Sequence, residues 1–97
     1  MIRNIVMLKV KEECLGDVDK FVELLLGLKS KISCLQHIEV HKNTKPGERA
    51  MDFVLMTTFQ NEEDLKGYLE HPAHVHVGGM IRAACIESKT VTHEVKT

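Results

Sequence analysis

The stretch Ile2-Arg3-Asn4-Ile5-Val6-Met7-Leu8-Lys9-Val10 decides the fold of this chain. It is rich in β-branched residues, and apolar side chains occupy both of its alternating faces. This pattern is typical of a central strand that is covered on both sides. One domain of 97 residues can cover one face of a sheet with its own helices. Something else must therefore cover the second face.

The first helix is predicted from apolar residues that recur at helical spacing from Val18 to Ile32. Gly16 and Asp17 stand immediately before this pattern, and the Asp17 side chain is the expected N-cap. The sequence therefore predicts one continuous helix that opens at residues 16–17 and packs its apolar stripe against the sheet.

Three further strands are predicted over residues 35–42, 51–59 and 86–95. The first of them alternates Leu35, His37, Glu39 and His41 on one face, and its mixed polarity indicates a position near the sheet edge. The second is apolar on both faces, as Ile2–Val10 is. A sheet that contains these two strands, Ile2–Val10 and residues 51–59, must therefore be covered on both faces.

A second helix is predicted after residue 60, with Asn61 as N-cap and Asp64 in the position of a capping box. Pro72 cannot extend that helix but fits the first turn of a new one. Gly78-Gly79 is expected to loosen the segment that follows into a flexible lid.

The predicted order is β-α-β-β-α-β, which is the ferredoxin-like arrangement in the α+β class. It gives a four-stranded antiparallel sheet with both helices on one face. Two such sheets packed face to face would bury the second apolar face. We therefore expect residues 1–97 to form a single domain and two copies to form a homodimeric α+β barrel.

Composition narrows the range of partners. The net charge is −1, with 13 basic and 14 acidic residues, so no basic field favours nucleic acid. The three cysteines share no CxxC spacing, which indicates reduced thiols and a cytoplasmic location. No signal peptide or membrane-length apolar run is present, so no membrane partner is expected.

The segment Tyr68-Leu69-Glu70-His71-Pro72-Ala73-His74 places a phenol and two imidazoles, groups that exchange protons near neutral pH, beside a helix break. With the first strand, Asp52-Phe53-Val54-Leu55 and residues 58–65, it resembles the stress-responsive A/B barrel family over nearly the whole chain. The His-Pro-Ala-His motif after an aromatic residue is the most specific part of that resemblance.

The resemblance implies a small barrel protein, similar in fold to small monooxygenases. One family member, the plant polyketide cyclase olivetolic acid cyclase, has its catalytic tyrosine and histidine at the positions of Tyr68 and His74. A further histidine of that enzyme corresponds to Asn4, and an amide cannot carry a proton back and forth. No cofactor is implied.

Two functions stay open. The first is the binding of a small hydrophobic or carbonyl-containing ligand in the barrel cavity without chemistry. The second is a cofactor-independent enzyme of the cyclase or monooxygenase type, with His74 as general base and Tyr68 as hydrogen-bond donor. The residues expected to contact the ligand are Asn4, Val6, Leu8, His71 and Arg82.

A metal site is not expected. His71 and His74 are three apart, but Pro72 lies between them and removes the helical geometry that would join them. His37 and His41 stand on one strand, with rings separated by roughly 13 Å at the rise of a strand. These two histidines are expected to face solvent or an interface.

Overall fold

The first strand, β1 (Ile2–Val10), lies inside the sheet, as its apolar faces predict. The computed structural model describes residues 1–96. After β1 the elements are a 3-10 helix (Glu12–Asp17), α1 (Val18–Leu26), α2 (Leu28–Lys31), β2 (His37–Lys42), β3 (Phe53–Phe59), α3 (Glu62–Glu70), α4 (Pro72–Ala84) and β4 (Cys85–Glu94). The strands form one antiparallel sheet in the order β2-β3-β1-β4. The predicted ferredoxin-like α+β fold is confirmed, with β2 at an edge.

The first helical region differs from the prediction at both ends. The chain already turns helically over Glu12–Asp17, so Asp17 has helical backbone angles and its side chain makes no capping hydrogen bond. The predicted Asp17 cap is therefore wrong. The predicted continuous helix is interrupted at Gly27, a residue of low helix propensity, and Ile32 lies beyond α2 in extended backbone.

The second helical region begins as predicted, because the backbone N–H of Asp64 donates to Oδ1 of Asn61 over 2.9 Å. The predicted lid at Gly78-Gly79 is wrong, since both residues lie inside the 13-residue helix α4. Each glycine costs a helix about 1 kcal/mol relative to alanine. The burial of Val77 and Ile81 on either side of the pair offsets that cost.

One face of the sheet packs against the helices. The even-numbered residues of β1 and the odd-numbered residues of β3 point to this side, where Phe53 and Phe59 are fully buried. Leu35 also packs in this core. The prediction that Leu35 shares a face with His37 is wrong, because Leu35 precedes β2 and lies in the turn that enters it.

In the part of the chain that the structure describes, residues 1–96, no helix covers the other face of the sheet. Strand alternation and register bring five apolar side chains together there, and we call this surface the open sheet face. Its members are Ile5, Met7, Val54, Met56 and Val91. Val91 is 57% exposed and Met7 is 40% exposed, so the apolar centre of this surface is uncovered in a single chain.

The edge of the open sheet face on β2 is polar. His37, Glu39 and His41 lie opposite Thr58, Met56 and Val54 in the register of β2 and β3. The rings of His37 and His41 each lie 3.2 Å from a different carboxylate oxygen of Glu39. The two rings therefore converge on one carboxylate, and the separation predicted from the strand rise is wrong. These hydrogen bonds lower the pKa of Glu39.

None of the helices within residues 1–96 has the length and apolar character that crossing a membrane requires.

Candidate functional site

A cavity of about 390 Å³ lies between the helices and the β1–β4 side of the sheet. This volume is within the range of about 300–1,000 Å³ that is typical of small-molecule sites. Its wall is largely aliphatic and has a few polar groups. The lining residues are Asn4, Val6, Leu8, Leu25, Leu55, Leu65, Leu69, His74, Gly78, Ile81, Arg82, Cys85, Ser88, Thr90 and Thr92.

The wall includes His74 and four of the five residues expected to contact a ligand, namely Asn4, Val6, Leu8 and Arg82. The fifth, His71, does not line it. Its Nδ1 accepts a hydrogen bond from the backbone N–H of Ala73 over 3.0 Å, so the side chain caps α4. Tyr68 also lies outside the lining set.

His74 is held in one orientation by α3. Its Nδ1 lies 3.1 Å from the carbonyl oxygen of Leu69. Because a carbonyl only accepts, Nδ1 carries the proton, and Nε2 of the neutral ring holds a lone pair. Partial burial lowers the pKa of His74, and the charge of Arg82 lowers it further, against the opposing effect of the Leu69 carbonyl. The imidazole is therefore neutral at pH 7 and can accept a proton at Nε2.

Tyr68 packs behind the histidine. The two ring centroids are 4.5 Å apart, and the ring of Phe59 lies 5.0 Å from Tyr68 on another side. Only 1% of Tyr68 is exposed, and burial raises its pKa to about 12. Its hydroxyl is buried without a hydrogen-bond partner among residues 1–96. A buried hydroxyl without a hydrogen-bond partner is costly.

Asn4 presents a fixed amide to the cavity. Its Oδ1 accepts hydrogen bonds from the hydroxyls of Thr90, over 3.1 Å, and Thr92, over 2.9 Å. This leaves the Nδ2 amide as a donor. Because Asn4 lines the cavity, Nδ2 is the donor that it would offer to a ligand there.

The polar side chains of β4 were missed by the sequence analysis. Ser88, Thr90 and Thr92 lie opposite Leu8, Val6 and Asn4 in the β1–β4 register and line the same cavity. The signal was present, because three hydroxyl residues alternate along the last predicted strand. This alternation could be related to the cavity only once the register of β1 with β4 was known.

A methyl group at position 78 should weaken ligand binding. A Cβ added to Gly78 would lie 3.6 Å from both Cε1 and Nε2 of His74, whereas one added to Gly79 would meet nothing within 4 Å. Alanine should stabilise the helix by about 1 kcal/mol at either position. We expect both Gly78→Ala and Gly79→Ala to melt at higher temperature, with only Gly78→Ala weakening binding in calorimetry. Equal binding by the two variants would contradict the role of Nε2.

No arrangement of three or more His, Cys, Asp or Glu side chains within residues 1–96 is suited to hold a metal ion.

The fold and the cavity define a small ferredoxin-like α+β protein with a ligand-sized space between its helices and its sheet. The sequence model of the stress responsive A/B barrel domain matches residues 2–96. The chain belongs to this family, as its first strand and its His-Pro-Ala-His motif predicted.

Solved structures agree with this assignment. A dimeric protein of unknown function from Bacteroides fragilis is 31% identical, with 97% of this chain and 95% of that chain covered and a TM-score of 0.87. A dimeric ferredoxin-like protein of unknown function from Jannaschia is 25% identical, with 97% and 98% covered and a TM-score of 0.81.

A hydroxynitrile lyase from Passiflora edulis shares the fold at 15% identity, with 98% of this chain and 93% of that chain covered and a TM-score of 0.86. No curated protein sequence matches the chain.

Proposed function

We propose that this protein binds a small hydrophobic or carbonyl-containing ligand in the cavity and that it works as a homodimer. The observation that carries the ligand-binding proposal is an aliphatic cavity of about 390 Å³ with the amide of Asn4 and the imidazole of His74 on its wall. A carbonyl oxygen can accept from Asn4 while the apolar part of the ligand contacts the leucines. Reduced thiols at Cys14, Cys34 and Cys85 suit the cytoplasmic location that we propose with it.

Two observations support the homodimer. The open sheet face is an apolar surface at the centre of the sheet, and a second copy would bury it by isologous packing. The relatives from Bacteroides fragilis and Jannaschia, at 31% and 25% identity, are both described as dimeric. The cavity lies on the helix side of the sheet and the open face on the other, so dimer contacts leave the cavity accessible.

A cofactor-independent enzyme is the second candidate, and the tautomer of His74 favours it. The Leu69 carbonyl fixes the proton on Nδ1 and leaves Nε2 to remove a proton from a carbon acid next to a carbonyl. Tyr68, whose pKa is raised to about 12, stays protonated and would donate to the enolate oxygen once its hydroxyl reaches the ligand. Relatives of this fold include a hydroxynitrile lyase and an antibiotic biosynthesis monooxygenase.

Loss of the His74 ring should weaken binding by about tenfold, because it removes part of the cavity wall that would contact the ligand. The wild-type protein is first screened by thermal shift against aromatic acids, β-dicarbonyl compounds and acyl thioesters. The best ligand is then titrated by calorimetry into His74→Ala and into His76→Ala. His76 is exposed on the same helix and lies outside the cavity wall.

Unchanged affinity of His74→Ala, or equal losses in the two variants, would contradict the proposed site. The absence of any stabilising compound in the wild-type screen would contradict the ligand-binding function. Turnover of a carbonyl compound by the wild-type protein that disappears in His74→Ala even at a saturating concentration of the compound would select the enzyme over the binding protein.

A further inference from the structure

The cavity carries one charged side chain, that of Arg82. No Asp or Glu stands among the lining residues. Within residues 1–96 the ion pairs are formed by other side chains, so the guanidinium of Arg82 has no carboxylate partner. An unpaired cation beside an apolar cavity attracts an anion, and a guanidinium can bind a carboxylate through two parallel hydrogen bonds.

The remaining hydrogen-bonding groups of the wall are neutral. The Nδ2 amide of Asn4 and the hydroxyl of Ser88 can donate to a ligand, whereas the hydroxyls of Thr90 and Thr92 already donate to Oδ1 of Asn4. The rest of the wall is aliphatic apart from His74, Gly78 and Cys85. This combination suits a molecule with an anionic head and an apolar body.

We infer that the ligand is an amphipathic organic carboxylate and that Arg82 binds its carboxylate group. The inference rests on the proposed ligand-binding function and specifies its substrate class. Arg82, Gly78 and His74 are spaced by four residues along α4, so they share one face of the helix. A ligand whose carboxylate binds Arg82 would therefore have its apolar body beside Gly78 and directed towards the imidazole of His74.

The test compares two probes of almost equal shape, octanoate and octanamide, by isothermal titration calorimetry at pH 7.5. Because a charge-assisted hydrogen bond is roughly twice as strong as a neutral one, and an ion pair with an exposed arginine contributes up to about 1 kcal/mol, we expect the wild-type protein to bind octanoate about threefold to fivefold more tightly than octanamide. Arg82→Gln should bind both probes equally. Arg82→Lys keeps the charge and should keep part of the preference.

The control variant is Arg49→Gln, which removes the same charge from an exposed loop residue outside the cavity wall. It should retain the full preference for octanoate. Arg82 is exposed, so its substitution should leave the fold intact, which circular dichroism checks.

Equal binding of both probes by the wild-type protein would overturn the carboxylate inference while the cavity function stands. A preference for octanoate that survives in Arg82→Gln, or that falls equally in Arg49→Gln, would also overturn the role of Arg82. Binding of neither probe would overturn this inference. The proposed function would fall with it only if the aromatic acids, β-dicarbonyl compounds and thioesters also fail to bind.

Discussion

Met56→Lys should convert the proposed homodimer into monomers. Met56 lies between Ile5 of β1 and Glu39 of β2 in the sheet register, near the centre of the open sheet face. Removal of an ammonium from water costs several kcal/mol, and a symmetric interface would bury two of them. Since about 1.4 kcal/mol changes an equilibrium constant tenfold, we expect the dissociation constant to rise about a thousandfold or more in sedimentation equilibrium.

The lysine should not disrupt the fold of the single chain, because its cross-strand neighbour is the carboxylate of Glu39. The matched control is Leu26→Lys, which places the same charge at a 43% exposed apolar position at the end of α1, in the helical layer on the opposite side of the sheet. It should remain dimeric. A Met56→Lys protein that stays dimeric, or a Leu26→Lys protein that dissociates, would place the interface elsewhere.

Tyr68→Phe should stabilise the protein and, in the proposed cofactor-independent enzyme, lower kcat. Within residues 1–96 the phenol hydroxyl is buried without a hydrogen-bond partner, and a buried unsatisfied group of this kind costs about 1–3 kcal/mol. Its removal should raise the free energy of unfolding by about that amount in a denaturant titration. In the enzyme, loss of one donor to a developing oxyanion lowers kcat by about 10²–10³-fold.

Thr57→Val is the control for this prediction. The Thr57 hydroxyl is also buried, but it donates to the backbone carbonyl oxygen of Asn4 over 3.4 Å. Its loss should destabilise the protein by about 1 kcal/mol, the opposite sign from Tyr68→Phe. If Tyr68→Phe were also less stable than wild type, the hydroxyl would have a structural partner, and its assignment as a functional donor would be wrong.

Much of the fold could be predicted from periodicity. The alternation in β1 and the cap at Asn61 each depend on neighbours a few residues away, so short windows of sequence contain them. The errors occur where tertiary packing outweighs local propensity. Gly78 and Gly79 favour a break, but the burial of Val77 and Ile81 keeps α4 continuous through them. Leu35 fits the alternation of β2 but is drawn into the core before the strand begins.

The candidate site was less predictable, because its parts come from distant segments. The Tyr68–His74 motif marked the region, and Asn4 and Arg82 were named with it. The sequence did not indicate that the Tyr68 hydroxyl would be buried beside the cavity rather than on its wall. This outcome depends on how α4 turns away from α3 at Pro72.

The order of residues by itself determined the α+β class, the strand order through the ferredoxin-like pattern, the family, and the need for cover on a second sheet face. These follow from side-chain periodicity and from a signature motif, which are properties of short contiguous segments. The tertiary structure alone decided the composition of the cavity. It pairs β1 with β4, so that the hydroxyls of Thr90 and Thr92 orient the Asn4 amide. It also packs α4 against the sheet. Arg82, which forms no ion pair within residues 1–96, and the neutral His74 therefore line the same cavity as Asn4, Thr90 and Thr92.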